Sequence, residues 1–203
     1  MLSSRRPPDK VFLNIPYDKQ FQSLCLAYIC GIAAFGFSPR AVLEIPGGSR
    51  RLDRIFALIK TCKYSIHDLS RVELDKKRPP TPRFNMPFEL GLAVAWERVG
   101  RGKHTWYLFE GRTHRIAKSL SDLNGTDEYI HGGTTNGVFR ELCRAFVRPS
   151  RQPTVQQMSM VYLEVLLKLS EILRHAGSNS IFDARVFKDI SVVAAASSGR
   201  HVQ

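Results

Sequence analysis

The sequence predicts an α/β fold: a parallel sheet with helices on both faces, followed by a C-terminal helical extension. Three observations carry that reading. Short apolar runs alternate with amphipathic helical stretches over roughly residues 10–112, the order that builds a sheet wrapped by helices. The apolar runs do not alternate in polarity, as expected of strands covered on both faces. The chain has 203 residues, 43% of them hydrophobic, enough for one such domain plus an extension.

The elements follow in order. "KVFLNIPYD" is a buried strand that Pro16 ends. "KQFQSLCLAYICGIAAFGF" has helical spacing at Phe21, Leu24, Cys25, Tyr28, Ile29 and Ile32, and "GFSP" stops it. "RAVLEI" is a second strand, closed by "PGGS". "RRLDRIFALIKTC" is an amphipathic helix with Leu52, Ile55, Phe56 and Ile59 on one face. "KYSIHDLS" is a third strand. A proline- and charge-rich loop, "RVELDKKRPPTPRFN", leads to the helix "MPFELGLAVAWERV", and "HTWYLFEG" is the fourth strand. Right-handed crossovers follow. "SDLNGTDEYIHGG" is a long polar loop with a short strand near Tyr129–Ile130, able to act as a lid or to serve as a plain connection. "GVFRELCRAFVR" is a helix, and the α/β domain ends near residue 150. Residues 151–203 form the extension: a long helix over 154–175, then a short apolar element and a flexible polar tail. The long helix is the candidate for self-association, the alternative being that it packs back on its own domain.

The formal net charge of +12 favours an anionic partner, although much of it falls in loops and ends, where it can serve solubility alone. No recognition-helix or aromatic–basic strand signature occurs, so a nucleic-acid binder ranks last among the readings. No run of about 18 apolar residues occurs, which argues against a membrane span. "MLSSRRPPDK" lacks an apolar stretch behind its arginines and does not read as a secretory signal. Cys25, Cys30, Cys62 and Cys143 have neither CxxC nor zinc spacing, so a reducing, cytoplasmic setting is expected. The histidines show no ligand spacing, and no metal is expected.

In open α/β sheets, ligands bind outside the carboxyl ends of the strands. That rim receives Asn14 and Tyr17 from the first strand, "PGGSRR" with Arg50 and Arg51 after the second, and Asp68 and Ser70 from the third. Asn85 and Glu89 arrive with the first turn of the following helix. Asp68 and Glu89 are expected to converge on one crevice: one carboxylate to bind vicinal hydroxyls, the other, partly desolvated, to stabilise or trap an oxocarbenium ion. Arg50 and Arg51 are candidates for phosphate contact, or simply part of a turn. Neither GxGxxG nor GxxxxGK[ST] is present. Plainer roles stand beside these. A glutamate in a first helical turn gains about 0.3–1 kcal/mol from the helix dipole, and Pro87 marks a helix start. Asp68 at a strand end is a common turn former. His67, out of phase with Asp68, is expected to pack or to face solvent.

"VFLNIPYD", "SIHDLS" and "FNMPFELGLAVA" together resemble the nucleoside 2-deoxyribosyltransferase and TIR-like group, with Glu89, Gly91 and Ala93 matching its E-x-G-x-A helix. The resemblance covers about residues 10–112. It implies a flavodoxin-like sandwich that cleaves or transfers at an N-glycosidic bond. It makes Glu89 the catalytic carboxylate, Asp68 a holder of ribose hydroxyls and Tyr17 a contact to the base. It implies NAD+ or a related nucleotide as substrate rather than a bound cofactor, in bacterial antiphage defence. Gly91 would allow a close approach, and Ala93 would pack the helix on the sheet. The competing expectation is a non-catalytic nucleotide-sensing or protein-interaction module of the same fold.

Overall fold

The computed structural model describes residues 7–45, 50–72, 74, 78–100, 102–123 and 125–202. Its centre is a five-stranded, all-parallel sheet of β1 (Lys10–Asn14), β2 (Ser38–Ala41), β3 (Tyr64–Asp68), β4 (Thr105–Glu110) and β5 (Glu128–Ile130), in the order β2-β1-β3-β4-β5. This is the flavodoxin-like arrangement, whose direction of winding reverses between β1 and β3. The helices are α1 (Gln22–Ala34), α2 (Arg51–Lys60), α3 (Asn85–Val99), α4 (Arg115–Ser119), α5 (Thr135–Ala145), α6 (Val155–Ala176) and α7 (Ala184–His201). Among the described residues no helix is long and apolar enough to cross a membrane.

Pleating sorts the strand residues between two cores. Val11, Leu13, Ile66 and Phe109 join α1 and α5 on one face. Phe12 meets Ile55, Ile59 and Ala93 on the other, and Leu108 meets Met86 and Leu90 there. α1 is buried from Leu24 through Ala34, Cys25 and Cys30 included. A helix apolar all round needs a cover on its outer side, and α6 and α7 supply it: Met158, Val161, Val165, Val186, Phe187 and Ile190 belong to the same core as α1. Arg148 and Arg151, in the connector, donate to the carbonyls of Phe35 and Ala34 at the end of α1, and Arg151 also donates to Ser198 in α7. The segment expected as an extension after residue 150 thus completes the core of the α/β layer.

Two local expectations change. "RAVLEI" was expected as a strand, but β2 starts earlier, at Ser38, and Val42–Glu44 is a 3-10 turn. Glu44 causes the turn. Its carboxylate accepts from the Ala41 N–H at 2.9 Å and is held by Arg40. β2 is an edge strand, and this helps to close it. Ser38 N–H bonds to the Asp9 carbonyl just before β1, so the backbone amide positions of Pro39 and Ala41 point away from β1. Pro39 has no donor and the donor of Ala41 is capped, which leaves little for another strand to pair with. The short element and flexible tail expected after the long helix are one helix, α7, capped by Asp183, with Val186, Phe187, Ile190 and Ala194 buried. Small and polar residues crowd its last turns, Ser197 and Ser198 among them although both are buried, which makes the stretch look tail-like in sequence. The leader (residues 1–6), Pro46–Ser49 of the "PGGSRR" loop, and Lys76 and Lys77 lie outside the described residues.

α6 ends on Gly177 at φ 65°, with Ser178 N–H bonding to Leu173 O and Gly177 N–H to Arg174 O, the paired bonds of a left-handed helix stop. The chain then reverses into α7. The buried side of α6 packs back on the domain, while Met160, Leu163 and Leu167 remain exposed on its outer side. Glu164 joins the two helices through Ser197, Arg200 and His201. These bonds, that of Ser197 foremost, pull its carboxyl down to about 2. Glu164→Ala is therefore expected to cost about 1–2 kcal/mol, measured as a lower denaturant midpoint near neutral pH. The cost appears above the ordinary carboxylate range and fades as the pH falls toward 2, where the wild-type group also loses its charge.

Candidate active site

A cavity of about 590 Å³ opens at the carboxyl end of β1 against the first turn of α3. Asn14, Tyr17, Arg51, Arg83, Asn85 and Glu89 contribute to its wall. It lies at the switch point between β1 and β3, where this sheet order is expected to bind ligands. Glu89 is the one carboxylate lining it among the described residues. The Glu89 side chain is buried, and its Oε2 has no hydrogen-bond partner among the described residues. Burial pushes its carboxyl up from 4.5 to about 7, against a smaller opposing pull from the charge of Arg51. Desolvation thus outweighs the nearby cation here. A buried carboxylate without a cationic partner in contact stabilises any positive charge that forms beside it.

Asn14 ties the base of the cavity to α3. Its Nδ2 donates to the Met86 carbonyl in the first turn at 2.8 Å and to His67 Nδ1 at 2.9 Å. With Nδ1 accepting, His67 donates from Nε2 to Ser65 Oγ at 2.9 Å. Ser65 continues to His104 Nε2, and His104 Nδ1 donates to the Cys62 carbonyl. Burial, with His104 nearby, lowers His67 to about 3, so it is neutral. The chain of bonds fixes the orientation of Asn14 and, through Met86, the start of the helix that carries Glu89.

Sheet pleating separates the two carboxylates expected to meet. Asn14 pairs in register with His67, and Leu13 with Ile66. Asn14 and His67 therefore face α2 and α3, while Ile66 and Asp68 face α1. Asp68 is fully buried. It accepts from Tyr28 Oη at 2.7 Å and from the Ser70 N–H at 2.9 Å, and it sits 3.1 Å from His131 Nε2. It does not line the Glu89 cavity, and neither does Ser70, whose Oγ is 3.0 Å from His131 Nε2. His67 is the residue that faces the side of Glu89. The sequence placed Asp68 there instead, because the carboxyl-end rule does not say which face of a strand a residue takes.

Tyr17 and Asn85 line the cavity as expected. Tyr17 donates to the Leu13 carbonyl and contacts Phe182 in the connection to α7. Arg51 is in the wall, but Arg50 is not; Arg50 sits just before α2 with φ 64°. Gly91 is exposed, and a Cβ there would meet nothing within 4 Å, so close approach does not explain it. Ala93 is buried against Phe12. Phe88 is largely exposed, in the wall of a smaller neighbouring hollow that Glu89 and Arg51 also line. The loop weighed as a lid, "SDLNGTDEYIHGG", contributes nothing to this cavity among the described residues. No group of three His, Cys, Asp or Glu among the described residues could hold a metal ion.

No family model, curated protein or solved structure matches this chain.

Proposed function

We propose that the protein cleaves or transfers at the N-glycosidic bond of a nucleotide, with NAD+ as the preferred substrate class and Glu89 as the catalytic carboxylate. The observation that carries this reading is the unpartnered, buried Glu89 oxygen on the wall of the switch-point cavity. NAD+ suits a cavity with one carboxylate. Its glycosidic nitrogen already bears positive charge, so the C1′–N bond can break with the electron pair passing to nicotinamide and with no acid to protonate the leaving group. The oxocarbenium ion left behind faces Glu89, which stabilises or traps it. Water then adds at C1′ and releases a proton; an alcohol or a second nucleotide in place of water gives transfer. At about 4 Å and an effective dielectric of about 20, the attraction is about 4 kcal/mol, or roughly a thousandfold in rate.

Arg51 and Arg83 support an anionic substrate at the same cavity, and Tyr17 offers an aromatic face to a base. The resemblance of the Glu89 helix to TIR-like proteins supports a role in antiphage defence, by depleting NAD+ or by making a signalling nucleotide from it. The four free cysteines suit a reducing compartment such as the cytoplasm.

The reaction needs ionised Glu89, which sets its pH dependence. Base release from NAD+, followed by chromatography from about pH 5 to about pH 9, is expected to rise about tenfold per pH unit below about 7 and to level off above it. A flat profile contradicts the assignment. One observation favours a second reading. Asp68, expected to hold the ribose, is engaged elsewhere, which suits a cavity that senses a nucleotide without turning it over. Saturable NAD+ binding with no base released identifies that case.

A further inference from the structure

A second cavity, of about 350 Å³, opens at the carboxyl ends of β3, β4 and β5. We propose that it is a binding site for a phosphate monoester, separate from the Glu89 cavity and independent of the glycosidic reading.

Its lining has the chemistry of an anion site. Arg71, Arg112 and Arg115 contribute to the wall, with Ser70 and His131 between them, and no carboxylate lines it among the described residues. The acids nearby are already engaged. Glu110 is fully buried, and it accepts from the backbone N–H groups of Gly111 and Arg112 and from the Arg115 guanidinium. Asp68 is held by Tyr28, Ser70 and His131. Asp18 lies 3.5 Å from Arg71 and 3.3 Å from Arg83. The Arg112 side chain makes no hydrogen bond or ion pair with any described residue, so its charge is available to a ligand. Among guanidinium groups, the planar fork matches phosphate oxygens.

The polar groups between the arginines are pre-set. The Gly133 N–H donates to His131 Nδ1 at 3.0 Å, which leaves the His131 proton on Nε2, directed to Asp68 and Ser70. Ser70 is then free to donate its own hydroxyl proton into the cavity. Gly132 and Gly133 have φ of 62° and 70°, and a Cβ at either would meet nothing. Backbone conformation rather than space therefore demands glycine there. The volume holds a phosphate together with a small sugar. Arg83 lines the Glu89 cavity and Arg71 lines this one, so the Asp18 carboxylate forms part of the partition between them.

The test is calorimetric titration of the full chain with inorganic phosphate, ribose 5-phosphate and ribose, at an ionic strength held constant with chloride. Phosphate and ribose 5-phosphate are expected to bind, and ribose is not. Arg112→Gln is expected to weaken both about tenfold, the loss of one charge-assisted hydrogen bond, and Arg71→Gln with Arg112→Gln to weaken them further. Glu89→Gln is expected to leave the phosphate affinity unchanged. Circular dichroism checks that each variant is folded. The proposal is overturned if neither phosphate compound binds, if ribose binds equally well, if both arginine variants bind as the wild type does, or if Glu89→Gln shifts the affinity as much as Arg112→Gln.

Discussion

Glu89→Gln is expected to lower base release by about a thousandfold or more while making the protein more stable above neutral pH. The two effects have one cause. Burial raises the Glu89 carboxyl from 4.5 to about 7, so the folded chain holds this proton more tightly than the unfolded chain does. The ionised group is therefore a cost to the fold. That cost is absent below about pH 4.5, grows as the pH rises, and is complete above about 7. At about 1.4 kcal/mol per pH unit it reaches up to about 3 kcal/mol. The variant should unfold several degrees higher than wild type at about pH 8 and at the same temperature at about pH 4, as differential scanning calorimetry would record. A variant that is inactive and also less stable at pH 8 would point to a structural role for Glu89. Trading stability for a reactive group is common at active sites.

Asp68→Ala is expected to act on stability instead. Removing the carboxylate strands the Tyr28 hydroxyl and the Ser70 N–H in the interior and takes a partner from His131. Breaking a buried polar cluster of this kind costs about 3–5 kcal/mol, a large share of an ordinary domain's stability. Urea denaturation should show the fall directly. KM for NAD+, measured on the fraction that remains folded, should not change, because Asp68 is walled off behind β3 on the α1 side. Near-normal stability combined with weakened sugar binding would return Asp68 to the ribose-holding role that the resemblance implies.

How far these sites were legible depends on the period of each element. Helical spacing over 22–34 and 155–176, and the short apolar runs at β1, β3 and β4, were strong enough to define the sheet and its covering helices. The carboxyl-end rule then took Asn14, Tyr17, Arg51, Asn85 and Glu89 to one cavity. It did not distinguish the two faces of a strand. Asp68 and His67 are consecutive, so one residue of phase decides which of them points toward Glu89, and the register that fixes the phase comes from pairing across the sheet. β2 was misplaced because Pro39 reads as a stop, although an edge strand tolerates it. The ends of α7 were obscured by the small and polar residues of "AAASSGRH", where Ala194, Ser197 and Ser198 nonetheless face the interior. The second cavity left little trace in sequence. Arg71 follows β3 while Arg112 and Arg115 follow β4, far along the chain, and "HGG" reads as a turn until β5 brings His131 beside Ser70.

Whether Glu89 breaks a glycosidic bond is decided by chromatographic detection of free base. Purified protein is incubated with NAD+ and with a panel of nucleosides and nucleotides, with Glu89→Gln in parallel. Free nicotinamide is expected from NAD+ with the wild-type chain and at most a trace with the variant, in samples whose folded fraction is matched by circular dichroism. Equal release by the two proteins, or no base released from any compound by the wild type, would contradict that expectation.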